Sequence, residues 1–198
     1  MKVHDTGLGD VRLIEPRVFG DDRGAFFESW NRARWRDEHG LDFEVVQSNV
    51  STSTQGVLRG LHYQWPNPQG KLVMVLEGEA HDVAVDIRRG SPEFGRSVGA
   101  VLSAANRRML WIPEGYAHGF VALSERVVFQ YLCTAAYSHP DDAGIRWNDA
   151  ELAIDWPVST PLLSEKDARL PFLRDVAPGR LPEFSPEASG HTERSLAS

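Results

Sequence analysis

Hydrophobic positions recur in short runs along most of the chain, and turn residues such as Gly, Pro, Asn and Ser separate the runs. Strands this short and this regularly spaced favour a sandwich, jelly roll or barrel. From residue 43 onward every run reads as a strand. The predicted strands cover residues 43–53, 56–64, 72–76, 81–88, 98–102, 108–112, 118–123 and 126–134.

The first forty residues mix strand and helix signals. Residues 11–19 read as a strand, and Pro16 within them favours an edge position. An aromatic run at 25–30 predicts a second short strand. Asn31 is then the predicted N-cap of a short helix that ends near Gly40.

The stretch from residue 56 to 71 combines an apolar strand pattern with charged and polar side chains. Buried charges are costly unless they are paired or used, so a barrel interior that holds a ligand is predicted. The alternative is an edge strand whose polar residues face water. Strict alternation would place Arg59 and His62 on opposite faces. A bulge at Gly60 would let both line one pocket.

Length and composition indicate one ordinary globular domain. The chain has 198 residues and a formal net charge of −7, which disfavours extensive nucleic-acid binding but permits a small anionic ligand. No apolar run reaches the length of a membrane span, and none at the N-terminus resembles a signal core, so the cytoplasm is predicted. Residues 162–176 predict one or two helical turns. The domain is assigned to 1–176, and the Pro-, Gly- and Ser-rich residues 177–198 predict a mobile or surface-laid tail.

Several kinds of chemistry are disfavoured by the motifs. A phosphate-binding loop that ends at Lys71 would need glycine where Trp65 stands, and no Gly-x-Ser-x-Gly elbow is present. The single cysteine, Cys133, excludes an internal disulfide, fits a reducing compartment and reads as a buried, inert thiol.

A metal site is also disfavoured, although one motif hints at it. Residues 113–118 match Pro-x-Gly-x-x-His, which resembles the second motif of the cupin family and so implies a jelly-roll β-barrel. Metal-binding cupins carry a His-x-His and a Glu in their first motif, where this chain offers only His62. Three convergent ligands are usually required, so no metal is predicted.

The remaining candidates are a base, an acid and cations. His62 could accept a proton near neutral pH if a buried carboxylate held its ring, and Asp82 and Asp167 are both candidates for that carboxylate. Tyr131 lies in an apolar strand, where it is either a proton donor facing the pocket or a core tyrosine with a satisfied hydroxyl. The spacing alone favours the core tyrosine.

Eight ordered motifs between residues 5 and 175 resemble the dTDP-4-dehydrorhamnose 3,5-epimerase family. They agree with it in residue type and in spacing. They are Asp22-Arg23-Gly24-x-Phe26-x-Glu28, Gln47-x-Asn49-x-Ser51, Gly56-Val57-Leu58-Arg59-Gly60-Leu61-His62, Gln69-Gly70-Lys71-Leu72-Val73, Asp82-Val83-Ala84-Val85-Asp86-Ile87-Arg88, Leu110-Trp111-Ile112-Pro113-Glu114-Gly115, Trp147-Asn148-Asp149 and Leu163-Ser164-x-Lys166-Asp167.

The resemblance implies an isomerase without cofactor or metal, which converts dTDP-4-dehydro-6-deoxy-D-glucose to dTDP-4-dehydro-L-rhamnose. It implies His62 as the general base, Asp167 as its partner, Tyr131 as the proton donor and Lys71 as the group that stabilises the enolate. The substrate-binding residues that it implies are Arg23, Phe26, Glu28, Gln47, Asn49, Arg59, His118, Tyr137, Asp142 and Lys166. Tyr137 would stack on the thymine, and Asp142 stands where the family more often has Glu.

Family members are homodimers in which an N-terminal strand crosses to the partner, so the same is expected here. In that arrangement Arg23 and Glu28 would serve the partner's pocket. Three alternatives stay open: an epimerase that inverts only C3 or only C5, a non-catalytic sugar-binding cupin, and a metal-dependent cupin oxygenase or isomerase.

Overall fold

Two antiparallel sheets pack face to face, and a separate hairpin projects from the N-terminal part of the chain. The computed structural model describes residues 1–185. Its helices are α1 (Arg32–His39) and α2 (Glu165–Ala168), with 3₁₀ helices at Leu173–Asp175 and Pro178–Arg180. Its strands are β1 (Lys2–Asp5), β2 (Arg12–Glu15), β3 (Val18–Asp21), β4 (Gly24–Phe27), β5 (Gln47–Thr54), β6 (Leu58–Gln64), β7 (Lys71–Glu77), β8 (Glu79–Asp86), β9 (Ser97–Ser103), β10 (Met109–Ile112), β11 (Tyr116–Ala122), β12 (Arg126–Cys133) and β13 (Asp142–Gly144).

The two sheets enclose the core between their inner faces. The six-stranded sheet has the order β1-β2-β10-β7-β12-β5, and the five-stranded sheet has the order β13-β6-β11-β8-β9. Phe120 and Phe129, one from each sheet, stack with ring centroids 4.2 Å apart inside the barrel. Apolar residues of both sheets surround this pair. The predicted mainly β, jelly-roll type of barrel with a few short helices is therefore confirmed.

Both outer faces are covered. Trp35 of α1 is buried against the six-stranded sheet, and Phe43 stacks between Trp30 and Trp111, with centroid distances of 4.1 and 3.7 Å. The segment after β13 covers the five-stranded sheet through a second cluster that includes Ile145. This packing carries α2 to the side of β6, where the site lies.

The N-terminal region differs from the sequence-based expectation in two ways. Residues 11–19 are two strands separated at Pro16, and β2 lies between β1 and β10 in place of the predicted edge position. The edge is β1, which the sequence pattern did not predict. The predicted helix after Asn31 is confirmed. The Asn31 side chain accepts a hydrogen bond from the Arg34 N–H at 3.2 Å, and Gly40 ends the helix with φ 70°.

The first part of the predicted tail follows the body of the protein. The Arg89 N–H donates to the Pro182 carbonyl at 2.8 Å, and the Phe184 N–H donates to the Arg89 carbonyl at 2.9 Å. Residues 186–198 lie outside the described residues, and the domain boundary at 176 stays a prediction. None of the helices within residues 1–185 is long and apolar enough to cross a membrane.

Candidate active site

A cavity of about 330 Å³ opens between the two sheets, and both sheets contribute to its wall. Nine of the fourteen residues predicted for the site line it. They are His62, Lys71, Tyr131, Asn49, Arg59, His118, Tyr137, Asp142 and Lys166.

A bulge in β6 brings Arg59 and His62 to this cavity together. His62 is opposite His118 in β11, but Arg59 is opposite Phe120, so β6 contains one extra residue between the two pairs. Gly60 has φ 125°, and a Cβ there would lie 2.6 Å from the Gly119 Cα. Only glycine fits this position, and the predicted bulge is confirmed.

His62 forms a short contact with a carboxylate from the segment that covers the sheet. Its Nε2 lies 2.7 Å from the Asp167 Oδ1. Burial acts to raise the pKa of Asp167, but hydrogen bonds and charge from His62, with further hydrogen bonds from Ser164 and the Gly60 N–H, outweigh it and hold that pKa below 3.8. An ionised carboxylate only accepts hydrogen bonds, so Nε2 carries the proton and Nδ1 is the basic nitrogen.

His118 forms a second pair of the same length, deeper in the barrel. Its Nε2 lies 2.7 Å from the Asp82 Oδ1, and both side chains are buried. The other carboxylate oxygen, Asp82 Oδ2, has no hydrogen-bond partner among the described residues. Burial raises the pKa of Asp82, and the nearby charge of His118 opposes this only in part. Of the two carboxylates that the residues alone left open, Asp167 is therefore the one that contacts His62.

Tyr131 approaches the cavity from the other sheet, on β12. Its ring packs against Phe129 at 4.9 Å and meets the edge of His118 at 6.0 Å. Its hydroxyl lies 3.4 Å from the Ser51 Oγ, on the neighbouring strand β5. Desolvation raises the pKa of Tyr131 above 10.0, so the phenol holds its proton at neutral pH.

Lys71, at the start of β7, brings a cation to the same cavity. Its Nζ lies 3.4 Å from the His62 carbonyl oxygen, and no carboxylate of the described residues lies within 4.0 Å of it. Burial lowers the pKa of Lys71, which opposing charges from Cys133, Asp142 and Asp82 offset in part. An ammonium without a carboxylate partner is available to a negatively charged ligand atom.

Polar side chains form a connected rim at the mouth. The Tyr137 hydroxyl donates to Asp142 Oδ2 at 2.9 Å, and Lys166 contacts the same oxygen. Burial acts to raise the pKa of Asp142, but the hydrogen bonds from Lys166 and Tyr137 prevail and lower it. Gln47 accepts from the Tyr137 N–H at 2.8 Å and donates to Asn49 at 2.9 Å. Gln47 thus supports the rim without lining the cavity.

Three predicted binding residues lie away from this cavity, on or beside the β3–β4 hairpin. Arg23 pairs with Asp21 of its own hairpin, and 70% of Phe26 is exposed. Glu28 accepts a hydrogen bond from Asn31 at 3.0 Å and lies 3.3 Å from Arg34. One chain alone does not bring these residues to the other candidates.

Some lining residues were not among the predicted site residues. Ser51 lies on the face of β5 shared by Asn49, and Cys133 lies on the face of β12 shared by Tyr131. Two-residue alternation along each strand was the signal that could have identified both. Cys133 is buried, as predicted, and burial raises the pKa of its thiol. Among residues 1–185, no group of three or more His, Cys, Asp or Glu side chains is placed to hold a metal ion.

Known proteins share this fold and much of this sequence. A family profile described as dTDP-4-dehydrorhamnose 3,5-epimerase matches residues 5–175. The dTDP-4-dehydrorhamnose 3,5-epimerase of Pseudomonas aeruginosa is 55% identical over 168 residues, covering 84% of this chain and 93% of that protein.

Two solved structures extend the comparison. The 3,5-epimerase of Legionella pneumophila in complex with dTDP-4-keto-L-rhamnose is 46% identical, with a TM-score of 0.90 over 93% of this chain and 98% of that one. ChmJ, a 3'-monoepimerase from Streptomyces bikiniensis in complex with dTDP-quinovose, is 34% identical, with a TM-score of 0.82 over 87% of this chain and 89% of that one.

The barrel and its polar cavity, seen together with these relatives, define a class: a cupin-type carbohydrate epimerase, which is an isomerase. Within that class, the chain belongs to the dTDP-4-dehydrorhamnose 3,5-epimerase family. The family and the enzyme class predicted from the sequence are confirmed.

Proposed function

We propose that the protein converts dTDP-4-dehydro-6-deoxy-D-glucose to dTDP-4-dehydro-L-rhamnose, by inverting C3 and C5 through proton transfer. One observation carries the proposal: His62 and Tyr131 line one cavity from two different sheets, and Lys71 lines it from the same sheet as Tyr131. A base and an acid on opposed walls are what inversion at carbon requires.

The base step begins at the 4-keto group, which acidifies the hydrogens on both neighbouring carbons. His62 removes one of them through Nδ1, because Nε2 already donates to Asp167. The imidazolium that forms is stabilised by the carboxylate behind it. Positioned groups of this kind contribute about 10²–10⁴-fold to the rate.

The negative charge then moves to the ketone oxygen, and Lys71 is the group proposed to stabilise it. This charge develops only along the reaction, so its stabilisation lowers the barrier and does not merely tighten substrate binding. Tyr131 returns a proton from the opposite face, and the centre is inverted. The steps are redox-neutral, and the proposal therefore includes neither cofactor nor metal.

The nucleotide is proposed to lie along the rim of the cavity. Tyr137, half exposed, offers a ring face for the thymine, and Gln47, Asn49, Asp142 and Lys166 surround it. Arg59 is fixed by its donation to Ser53 Oγ and the Thr52 carbonyl, both at 3.1 Å. With its position set, Arg59 supplies positive charge to the diphosphate, and His118 is proposed to contact the sugar.

A homodimer completes the proposal. The β3–β4 hairpin pairs with neither sheet of its own chain, and it exposes Phe19 and Phe26. Strand β5 ends the six-stranded sheet, and the side of it away from β12 pairs with no strand of residues 1–185. An exposed strand edge is a site for strand addition from another chain. In the dimer Arg23, Phe26 and Glu28 would serve the partner's cavity.

Mixing two inactive variants tests this arrangement. Refolded mixtures of Arg23→Ala and His62→Ala should recover about one quarter of the wild-type activity, because half of the dimers are mixed and each then has one intact cavity. Mixtures of Lys71→Ala and His62→Ala are the control and should recover none, since both residues belong to one cavity. No recovery in the first mixture, or a monomer in light scattering, would contradict the dimer.

The reaction itself is tested with the purified protein and the 4-keto sugar nucleotide in heavy water, followed by NMR. Deuterium at C3 and C5 with both centres inverted supports the double epimerase. Exchange and inversion at one carbon would favour a monoepimerase, a reading that the likeness to ChmJ keeps open. No exchange at all would leave a non-catalytic sugar-binding protein. The cytoplasm remains our proposal for its location.

A further inference from the structure

Two inversions by one base and one acid raise a proton-balance problem inside this cavity. After the first inversion His62 holds an extra proton and Tyr131 lacks one. The second inversion requires both groups to return to their starting states. His62 and Tyr131 both line the cavity, and in the proposed reaction the sugar lies between them; the ring of Tyr131 also packs against Phe129 and the edge of His118. Tyr131 therefore needs a route for a proton from water.

The polar contacts of Tyr131 are few. Within residues 1–185, the hydroxyl of Ser51 is the one side-chain group within hydrogen-bonding distance of the Tyr131 oxygen, at 3.4 Å. Ser51 also lines the cavity and is only partly buried, so it connects the phenol with the cavity. Asn49, opposite Tyr131 in the ladder, hydrogen-bonds to Gln47 and contacts the Cys133 Sγ at 3.9 Å.

The backbone at Ser51 is held by strand β12 and by Arg59 of β6. Strand β5 pairs with β12 along its whole length, with Ser51 opposite Phe129. One residue further on, Arg59 holds the Thr52 carbonyl at 3.1 Å, and it also donates to Ser53. These contacts hold the backbone of β5 at Ser51, so the serine stays beside Tyr131 through the reaction cycle.

We propose that Ser51 is a positioning residue that recharges Tyr131, by passing it a proton from water between successive inversions. The inference rests on the proposed function. The Ser51 O–H bond breaks as the Tyr131 O–H bond forms, and the serine oxygen takes a proton from water. His62 returns one proton to water in the same interval, so protons balance and no further reactant is required. The desolvation that raises the pKa of Tyr131 makes its anion costly, and this favours rapid recharging.

The test follows the wild type, Ser51→Ala and Ser51→Thr through a single turnover and then through many. In Ser51→Ala the first inversion on each enzyme should proceed within about threefold of the wild type. Every later inversion should slow by roughly 10- to 100-fold, so the singly inverted sugar accumulates. Ser51→Thr keeps the hydroxyl and should restore the later steps. Ser48→Ala, on the outward face of the same strand, should behave as the wild type does.

Several results would overturn the proposal. Later inversions at wild-type speed in Ser51→Ala would do so, as would a first inversion slowed equally with the rest, or a Ser51→Thr protein that behaves as the alanine variant does. Thermal denaturation of each variant shows whether it is folded. The proposed function fails separately, if the wild type itself inverts one centre or none. If the wild type inverts only one centre, the role of Ser51 is still tested by the rate of repeated turnovers. If the wild type shows no turnover, the proposed role of Ser51 is rejected as well.

Discussion

Two histidine–aspartate pairs of the same length lie in one cavity wall, but their surroundings differ. His62 and Asp167 meet at 2.7 Å at the partly open end, where Ser164 and the Gly60 N–H also support the carboxylate. His118 and Asp82 meet at 2.7 Å in the interior, and one oxygen of Asp82 has no partner among residues 1–185. The pKa of Asp167 is lowered, whereas that of Asp82 is raised by burial.

The contrast shows that distance alone does not define a catalytic pair. A carboxylate that stays ionised keeps its histidine in one tautomer and stabilises the imidazolium, which suits a base. A carboxylate that favours its neutral form can share a proton with its histidine, which suits a fixed hydrogen-bonding group. We therefore propose that His62 removes the proton and that His118 has a binding role.

The largest expected effect separates the two histidines. His62→Ala should reduce deuterium exchange at C3 and C5 by roughly 10²–10⁴-fold, because the base is lost. His118→Ala should weaken substrate binding and slow turnover by about 10-fold while exchange continues. NMR in heavy water, together with steady-state kinetics, measures both. Equal loss of exchange in the two variants would abolish the distinction.

Substitution of the two carboxylates should change kcat by amounts that differ less than those of the two histidines, with the larger loss again in the pair that contains His62. Asp167→Asn keeps the shape of the side chain and should lower kcat by about 10²-fold, since the imidazolium loses its counter-charge. Asp82→Asn should change kcat by less than about 10-fold, because the histidine that Asp82 contacts is proposed to bind the sugar and not to remove its proton. The matched pair of kcat values is the measurement. A larger loss in Asp82→Asn would reverse our assignment.

The smallest effect is a pair of opposite pH slopes in the free energy of unfolding. Asp167 has a lowered folded-state pKa, so its contribution is present above 3.8 and is lost as pH falls through the lower folded value. Asp82 has a raised folded-state pKa, so its contribution is present below 3.8 and is lost as pH rises through the higher folded value.

Denaturant unfolding from pH 3 to pH 7 measures these slopes as the difference between wild type and each Asn variant. The stability advantage of the wild type over Asp167→Asn should shrink towards acid pH. Its advantage over Asp82→Asn should shrink towards neutral pH. Parallel slopes in the two variants would mean that the carboxylates share one environment.

Local patterns predicted much of the fold, because strand runs, turns and caps depend on neighbouring residues. The bulge followed from one glycine between two polar residues, and the helix followed from Asn31 and Gly40. Strand β1 was not predicted because three of its four residues, Lys2, His4 and Asp5, are polar, and its pairing with β2 depends on tertiary contacts. Pro16 was read as an edge marker, whereas it ends β2 and leaves that strand's own N–H groups free to pair.

The site could be predicted from the sequence only in part. His62 is separated from Asp167 by 105 residues and from Asp82 by 20, so spacing did not decide which carboxylate it contacts. The choice depends on the covering segment that brings α2 beside β6. The resemblance supplied Asp167, and the fold brings the two side chains together. In one chain Arg23, Phe26 and Glu28 lie away from the cavity, so their role in the site stays a prediction that depends on the proposed dimer.

The central claim is that His62 removes a proton on one face and Tyr131 returns it on the other. Tyr131→Phe in heavy water, followed by NMR, tests it most directly, because the phenol is lost and the histidine is kept. We predict that deuterium enters at C3 and C5 with retention of configuration, since only His62 can then return a deuteron. Normal inversion by Tyr131→Phe, or loss of all exchange in that variant, would contradict the account.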